Sequence, residues 1–156
     1  MHMRFLAALA LAAPASPIFA QAAAPTAADY SYATPLPGTW AHVALADGSQ
    51  AIFRDSSGRP QFTMHCTRSQ RRVALSKPSG AAASALFVWT SNSARSVPAA
   101  FQPAQAQLSA ALNAMDPLLD SMAFSRGRIA VSAAGAPALV MPVGAEISRV
   151  VEDCRV

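Results

Sequence analysis

The sequence predicts an α+β domain. An antiparallel sheet, a meander of about six to eight short strands, carries two short helices packed against it, and a disulfide staples the C-terminal helix to the sheet. Three observations predict this. Apolar and polar residues alternate with period two through residues 40–67, with turn chemistry at each break. Two later segments change to a helical period. The two cysteines, Cys66 and Cys154, fall on the apolar sides of a strand and of a helix.

Residues 40–45 alternate, with Ala41, Val43 and Leu45 on one face and Trp40, His42 and Ala44 on the other. Asp47-Gly48 supplies the turn, since this pair tolerates the positive φ of a tight hairpin. Residues 50–54 form the return strand, and Asp55-Ser56-Ser57-Gly58 the next turn. In residues 61–67, Phe62, Met64 and Cys66 face one way, and Thr63, His65 and Thr67 the other. Residues 71–77 follow a polar turn with Val73 and Leu75 inward, and Pro78-Ser79-Gly80 ends them.

Residues 85–90 (Ala-Leu-Phe-Val-Trp-Thr) lack polar alternation, which predicts a central strand buried on both faces. Residues 95–97 read as a short strand ended by Pro98. Residues 102–113 are ambiguous. Leu108, Ala110 and Leu112 alternate as in a strand, whereas the alanines and glutamines favour helix; the alternation tips the reading to strand.

Asp116-Pro117 opens a short helix, because aspartate accepts a bond from an orphan N–H at the N-cap and proline loses nothing at the first helical position. Met115, Leu118, Leu119 and Met122 form its expected buried stripe, and Gly127 its stop. Residues 128–133 and 138–142 make a last hairpin around Ala134-Gly135. In residues 144–154, Ile147, Val150, Val151 and Cys154 fall at i, i+3, i+4 and i+7, one face of a helix.

Residues 1–20 read as a secretory signal peptide: Arg4 precedes an apolar run, Pro14 and Pro17 break it, and small residues offer cleavage after Ala20 or Ala22. About nine apolar residues are too few to span a bilayer core, which needs about 20. Residues 21–38, rich in Ala, Pro and Thr, read as a flexible leader, and residues 39–156 as a single domain. The expected location is periplasmic or secreted. In such a compartment two cysteines pair most simply with each other. The bond would close a loop of nearly ninety residues.

The chain is 53% hydrophobic and 13% charged, with net charge +4, and loss of Arg4 with the leader leaves +3. That excludes an acidic disordered chain and falls short of a nucleic-acid footprint. Catalytic motifs of the G-x-S-x-G, S-x-x-K and H-E-x-x-H kinds are absent. Beyond the leader the histidines are His42 and His65, which the alternation places together on the outer sheet face beside Trp40, Arg54, Thr63 and Arg72. With one strand between them they would stand roughly 9–10 Å apart, awkward for sharing a metal. The turn Arg68-Ser69-Gln70-Arg71-Arg72 offers guanidinium forks to a phosphate or carboxylate. Arg95, Arg126 and Arg128 suggest a second anion-gripping loop, against a structural role for the latter two at the helix end. The sequence points to no cofactor and no metal.

The layout of leader, strand cysteine, D-P-L-L-D helix, S-R-G-R and closing E-D-C-R resembles small exported bacterial domains in which a strand cysteine pairs with a C-terminal helix cysteine. The resemblance spans about residues 40–155 and implies export and the disulfide, with no activity attached. The expected function is that of a non-catalytic binding module in the cell envelope. It would be an inhibitor, adaptor or accessory subunit recognising an envelope protein or an anionic envelope component. Two other classes compete with it: a small hydrolase or metal-dependent enzyme using His42 or His65, and a structural accessory of a secretion or envelope assembly.

Overall fold

Turn chemistry and alternation divide the chain into short antiparallel strands, and the computed structural model describes them over residues 28–156. The leader predicted at 1–20 and residues 21–27 of the segment after it lie outside the described residues. The strands are β1 Gly38–Leu45, β2 Gly48–Asp55, β3 Pro60–Thr67, β4 Arg72–Pro78, β5 Ala85–Trp89, β6 Ala94–Pro98, β7 Ala100–Gln102, β8 Gln107–Asn113, β9 Arg128–Ala133 and β10 Leu139–Pro142. The helices are α1 Pro117–Ala123 and α2 Ala145–Asp153. The α+β class, the antiparallel pairing, the two helices and the staple are all present.

The meander folds into two sheets, ordered β1-β2-β3-β4-β8-β7 and β10-β9-β5-β6. The chain crosses between them after β4, after β6 and after β8; the tightest crossing is at Pro98-Ala99, where proline has no N–H to continue a ladder. One core joins them: Phe53, Phe62, Met64 and Leu75 from the six-stranded sheet, Leu86, Val88, Ile129 and Met141 from the four-stranded one, Leu119 and Met122 from α1, and Ile147 and Val150 from α2. The ambiguous segment is strand over Gln107–Asn113, because Leu108, Ala110 and Leu112 bury one face while Ser109 and Ala111 stay outside; Gln102 ends β7, and Pro103–Gln105 form a single 3-10 turn between the two strands. No helix among the described residues is long and apolar enough to cross a membrane.

Cys66 and Cys154 are both fully buried, with Cα atoms 5.5 Å apart. Asp116 caps α1 by accepting the Leu118 N–H at 2.9 Å, and Arg95 Nη2 donates to both its carboxylate oxygens at 2.8 Å. The first hairpin turns one residue earlier than the sequence suggests, on Ala46-Asp47. Gly48 opens β2 at φ +125°, where a Cβ would sit 2.3 Å from the Cys66 carbonyl oxygen.

Four further expectations are corrected. In β1, Trp40 and His42 face inward and Ala41, Val43 and Leu45 outward, the reverse of the outer-face assignment. Both faces of this edge strand carry apolar side chains, so alternation alone does not orient it. The larger aromatic surface decides: Trp40 packs 5.4 Å from Phe53 and 6.3 Å from Phe62 between ring centres, and its Nε1 donates to the Pro142 carbonyl. Strand β5 is central, but Ala85 and Phe87 are only half-buried, since the sheet's outer side is covered in part by Tyr30 against Trp89. Met115 precedes the N-cap and is 63% exposed, so it is no part of the α1 stripe. Helix α1 stops at Ala123, with Phe124 as its C-cap, and Gly127 belongs to the turn before β9.

Candidate functional site

An arginine already bonded within the fold has fewer of its five N–H donors to turn toward an anion. Arg68 Nε donates to the Asp153 carbonyl at 3.1 Å, and Arg71 Nη2 donates to the Arg155 carbonyl. Both bonds fall at the C-terminal end of α2, whose last carbonyls have no helical partner. The basic turn is therefore a clamp on that helix. Arg95 is held by Asp116, and Arg128 donates to the Ala33 carbonyl. Arg126 is exposed, with its backbone N–H on Ser91 Oγ at 2.8 Å. Arg95 and Arg128 thus serve different segments, and the second expected arginine site does not assemble.

The two histidines lie on opposite faces of the six-stranded sheet. His42 Nε2 is 3.1 Å from Asp153 Oδ2. The Ser49 hydroxyl is fully buried without a hydrogen bond of good geometry, yet among its neighbours it acts most strongly to hold the Asp153 carboxyl below its ordinary pKa. A rotatable hydroxyl dipole can favour a carboxylate without meeting strict bond angles. Burial opposes this, and His42 and Arg68 reinforce it. The trio resembles catalytic parts, but Ser49 is 1% exposed and makes no bond to His42. Its geometry ties α2 to β1 instead of presenting a nucleophile.

His65 faces the other way, into the uncovered side of the sheet. The register places Gln50, His65, Ala74 and Ala111 in one row, Ile52, Thr63, Ser76 and Ser109 in the next, and Thr67, Arg72 and Asn113 in a third. Because Ala74, Ser76 and Ser109 are small, the middle of the face is hollowed into a trough of about 290 Å³ between His65 with Gln50 and Gln102 with Gln107. Ser76 and Ser109 hydrogen-bond each other at 3.2 Å, and Gln107 Nε2 donates to Gln102 Oε1 at 3.3 Å. Arg72 lies one row along the neighbouring strand from His65, roughly 7–8 Å away by sheet geometry. The outward positions of these strands include Arg54, Arg72 and His65 and no carboxylate; Asp47 and Asp55 sit at the two ends of β2.

Of the expected binding residues, the fold brings His65 and Arg72 to one open surface, and sends His42, Arg68, Arg71, Arg95 and Arg128 to internal bonds. Sequence reasoning missed Gln50, Ser76, Gln102, Gln107 and Ser109. The signal for the last two was the polar half of the alternation through residues 107–113, which becomes a surface only once β8 is known to pair with β4.

A larger cavity of about 390 Å³ lies on the outer side of the four-stranded sheet, between Phe87, Ser96 and Ser132, walled in part by Ala28 and Tyr30 of the chain's own N-terminal segment. It holds no titratable group besides that tyrosine, so the trough is the better candidate for recognition chemistry. Among the described residues no group of three or more His, Cys, Asp or Glu side chains is placed to hold a metal ion. Fold and face define a class: a disulfide-stapled α+β domain with one open, polar sheet surface. Comparison with protein-family models, curated proteins and solved structures finds no match.

Proposed function

We propose that the protein is a non-catalytic exported binding module of the bacterial cell envelope, and that it recognises an anionic, acceptor-rich envelope component through the outer face of its six-stranded sheet. The trough carries this reading: His65 and the amide and hydroxyl groups of Gln50, Thr63 and Gln107 offer donors with no carboxylate among the lining residues, and the Arg72 guanidinium stands one row away on β4. The buried disulfide fits an oxidising compartment, where such bonds persist. A hydrolase using His42 draws some support from its Asp153 partner, but that imidazole is turned into the fold.

The test is a titration of the purified, disulfide-bonded protein with an acidic polysaccharide and with its neutral counterpart, at low and high salt. Binding of the acidic polymer should weaken as salt screens exposed charges and as Arg72→Ala or His65→Ala removes donors. Equal affinity for both polymers, or insensitivity to both substitutions, overturns the reading. Salt-sensitive retention of an envelope protein in place of the polymer would also overturn the choice of ligand.

A further inference from the structure

A sheet edge exposes unpaired N–H and C=O groups, and proteins that stay alone blunt such edges with charge, proline, bulges or brevity. Among the described strands, three of the four sheet edges are blunted. Strand β7 has three residues, β6 carries Arg95 and ends in Pro98, and β10 is four residues long, ends in Pro142 and already accepts the Leu36 N–H at its Val140 carbonyl. Strand β1 is different. Its eight residues, Gly38–Leu45, contain no Asp, Glu, Lys or Arg and no proline, and it pairs with β2 without a bulge. Val43 and Leu45 stand 40% and 38% exposed on its outer side.

The two-residue loop closes on the pair Leu45 and Gly48, which in such a hairpin is hydrogen-bonded. The alternation then directs the N–H and C=O groups of Trp40, His42 and Ala44 away from β2, to the open edge. The described chain upstream of β1 does not run along it: Ala33 is held by Arg128 and Leu36 by Val140, both on the four-stranded sheet.

We propose that this edge pairs with β1 of a second copy, antiparallel about a two-fold axis near His42, so that two six-stranded sheets join into one of twelve. The strand suits itself. Having no Asp, Glu, Lys or Arg, it sets no such charges against their own copies, and the two-fold sets Ala41 across from Val43 and Thr39 across from Leu45 on the outer side. The ends are complementary too. Arg54 flanks the start of β1, opposite Thr39, and Asp47 follows its end, so antiparallel pairing brings each copy's Asp47 toward the other's Arg54. Each His42 ring stays turned inward to its own Asp153. The pairing places both His65 troughs on one continuous face, though it rests on the edge alone and not on any ligand.

Light scattering and sedimentation of the full, disulfide-bonded protein from low micromolar to near-millimolar concentration test it, with amide hydrogen exchange read at Trp40, His42 and Ala44. The expected result is a concentration-dependent dimer in which those three amides become protected. Val43→Lys, a change at an exposed position, should weaken dimerisation about tenfold or more by setting lysines near one another across the axis, with an unchanged melting temperature at monomeric concentration. Ala41→Lys serves equally if Val43→Lys fails to fold. A monomer at every concentration overturns the proposal. So does a dimer that survives either lysine with the three amides still exchanging freely, or protection of those amides only when a different protein is added.

Discussion

His42 and Asp153 meet at 3.1 Å across 111 positions of sequence, one residue before Cys154 bonds to Cys66. Arg68 and Arg71 grip the neighbouring carbonyls of Asp153 and Arg155, and Arg155 itself reaches Asp120 and the Ala114 carbonyl. The chain's last turn is thus fastened to β1, to the turn before β4 and to α1. The residues with the strongest functional look in the sequence, a histidine and a run of arginines, are fasteners of this end.

The fasteners differ in strength, and that difference is measurable. The His42 and Asp153 side chains are 21% and 37% exposed, so the pair is screened, and Asp153→Asn should cost below about 1 kcal/mol. The disulfide spans 88 residues, for which chain entropy gives about 4–5 kcal/mol. Denaturant unfolding should place the Cys66→Ala/Cys154→Ala double variant at least about 3 kcal/mol below the Asp153→Asn variant. Comparable losses would mean that the helix is held by its polar contacts and not by the covalent bond.

A second prediction concerns the start of α1. Burial works to raise the Asp116 carboxyl, and the Arg95 guanidinium and the Leu118 N–H outweigh it and hold it below its ordinary range. Asp116→Ala removes both cap and pair and should cost about 1–2 kcal/mol, whereas Arg95→Ala, at a position 44% exposed, should cost about half a kcal/mol. Equal costs for the two changes would show that the pair, and not the cap, supports the helix.

Much of this architecture was legible because its signals are local. The i, i+3, i+4 and i+7 stripe of α2, the Asp-Pro start of α1 and the alternation in β3 each depend on neighbours within a few residues. The orientation of β1 was not legible, because it depends on Trp40 finding Phe53, Phe62 and the Pro142 carbonyl, the last 102 positions away. The division into two sheets was hidden as well: it turns on which strands pair, and β4 with β8 is set by side chains on both. The candidate site inherits that difficulty. Only His65 in the trough and Arg72 beside it stood out by residue type, while the glutamines and serines acquire meaning from registry.

Two glycines separate backbone conformation from collision. Gly48 and Gly58 both hold positive φ, +125° and +81°, but a Cβ at Gly48 would meet the Cys66 carbonyl oxygen at 2.3 Å and one at Gly58 meets nothing within 4 Å. Gly58→Ala should cost about 1–2 kcal/mol, the left-handed penalty alone. Gly48→Ala should cost about 3 kcal/mol or more, since the β2–β3 pairing beside the disulfide must shift. Denaturant midpoints of the two variants decide it; similar values would show that the ladder yields to the added carbon.

The last prediction is acid sensitivity. Asp55 is held down to about 2, chiefly by the Ser57 hydroxyl, with the Arg59 N–H, the Gln61 amide and the Ser57 N–H reinforcing it against burial. Asp47, held by Ser69, and Asp153, held by Ser49 and His42, are lowered in the same sense. A carboxyl whose folded pKa lies below its unfolded value of about 3.9 releases its proton more readily in the folded chain. Its contribution is therefore complete above about pH 5 and is lost progressively as the pH falls toward 2. The urea midpoint should hold steady from neutral pH to about pH 5, then fall steeply between about pH 4 and pH 2. Asp55→Asn should lower the midpoint at neutral pH and flatten the acid limb, because the variant no longer has that proton to take up. An acid limb of unchanged steepness in the variant would remove Asp55 from the account and leave the fall to the other carboxyls.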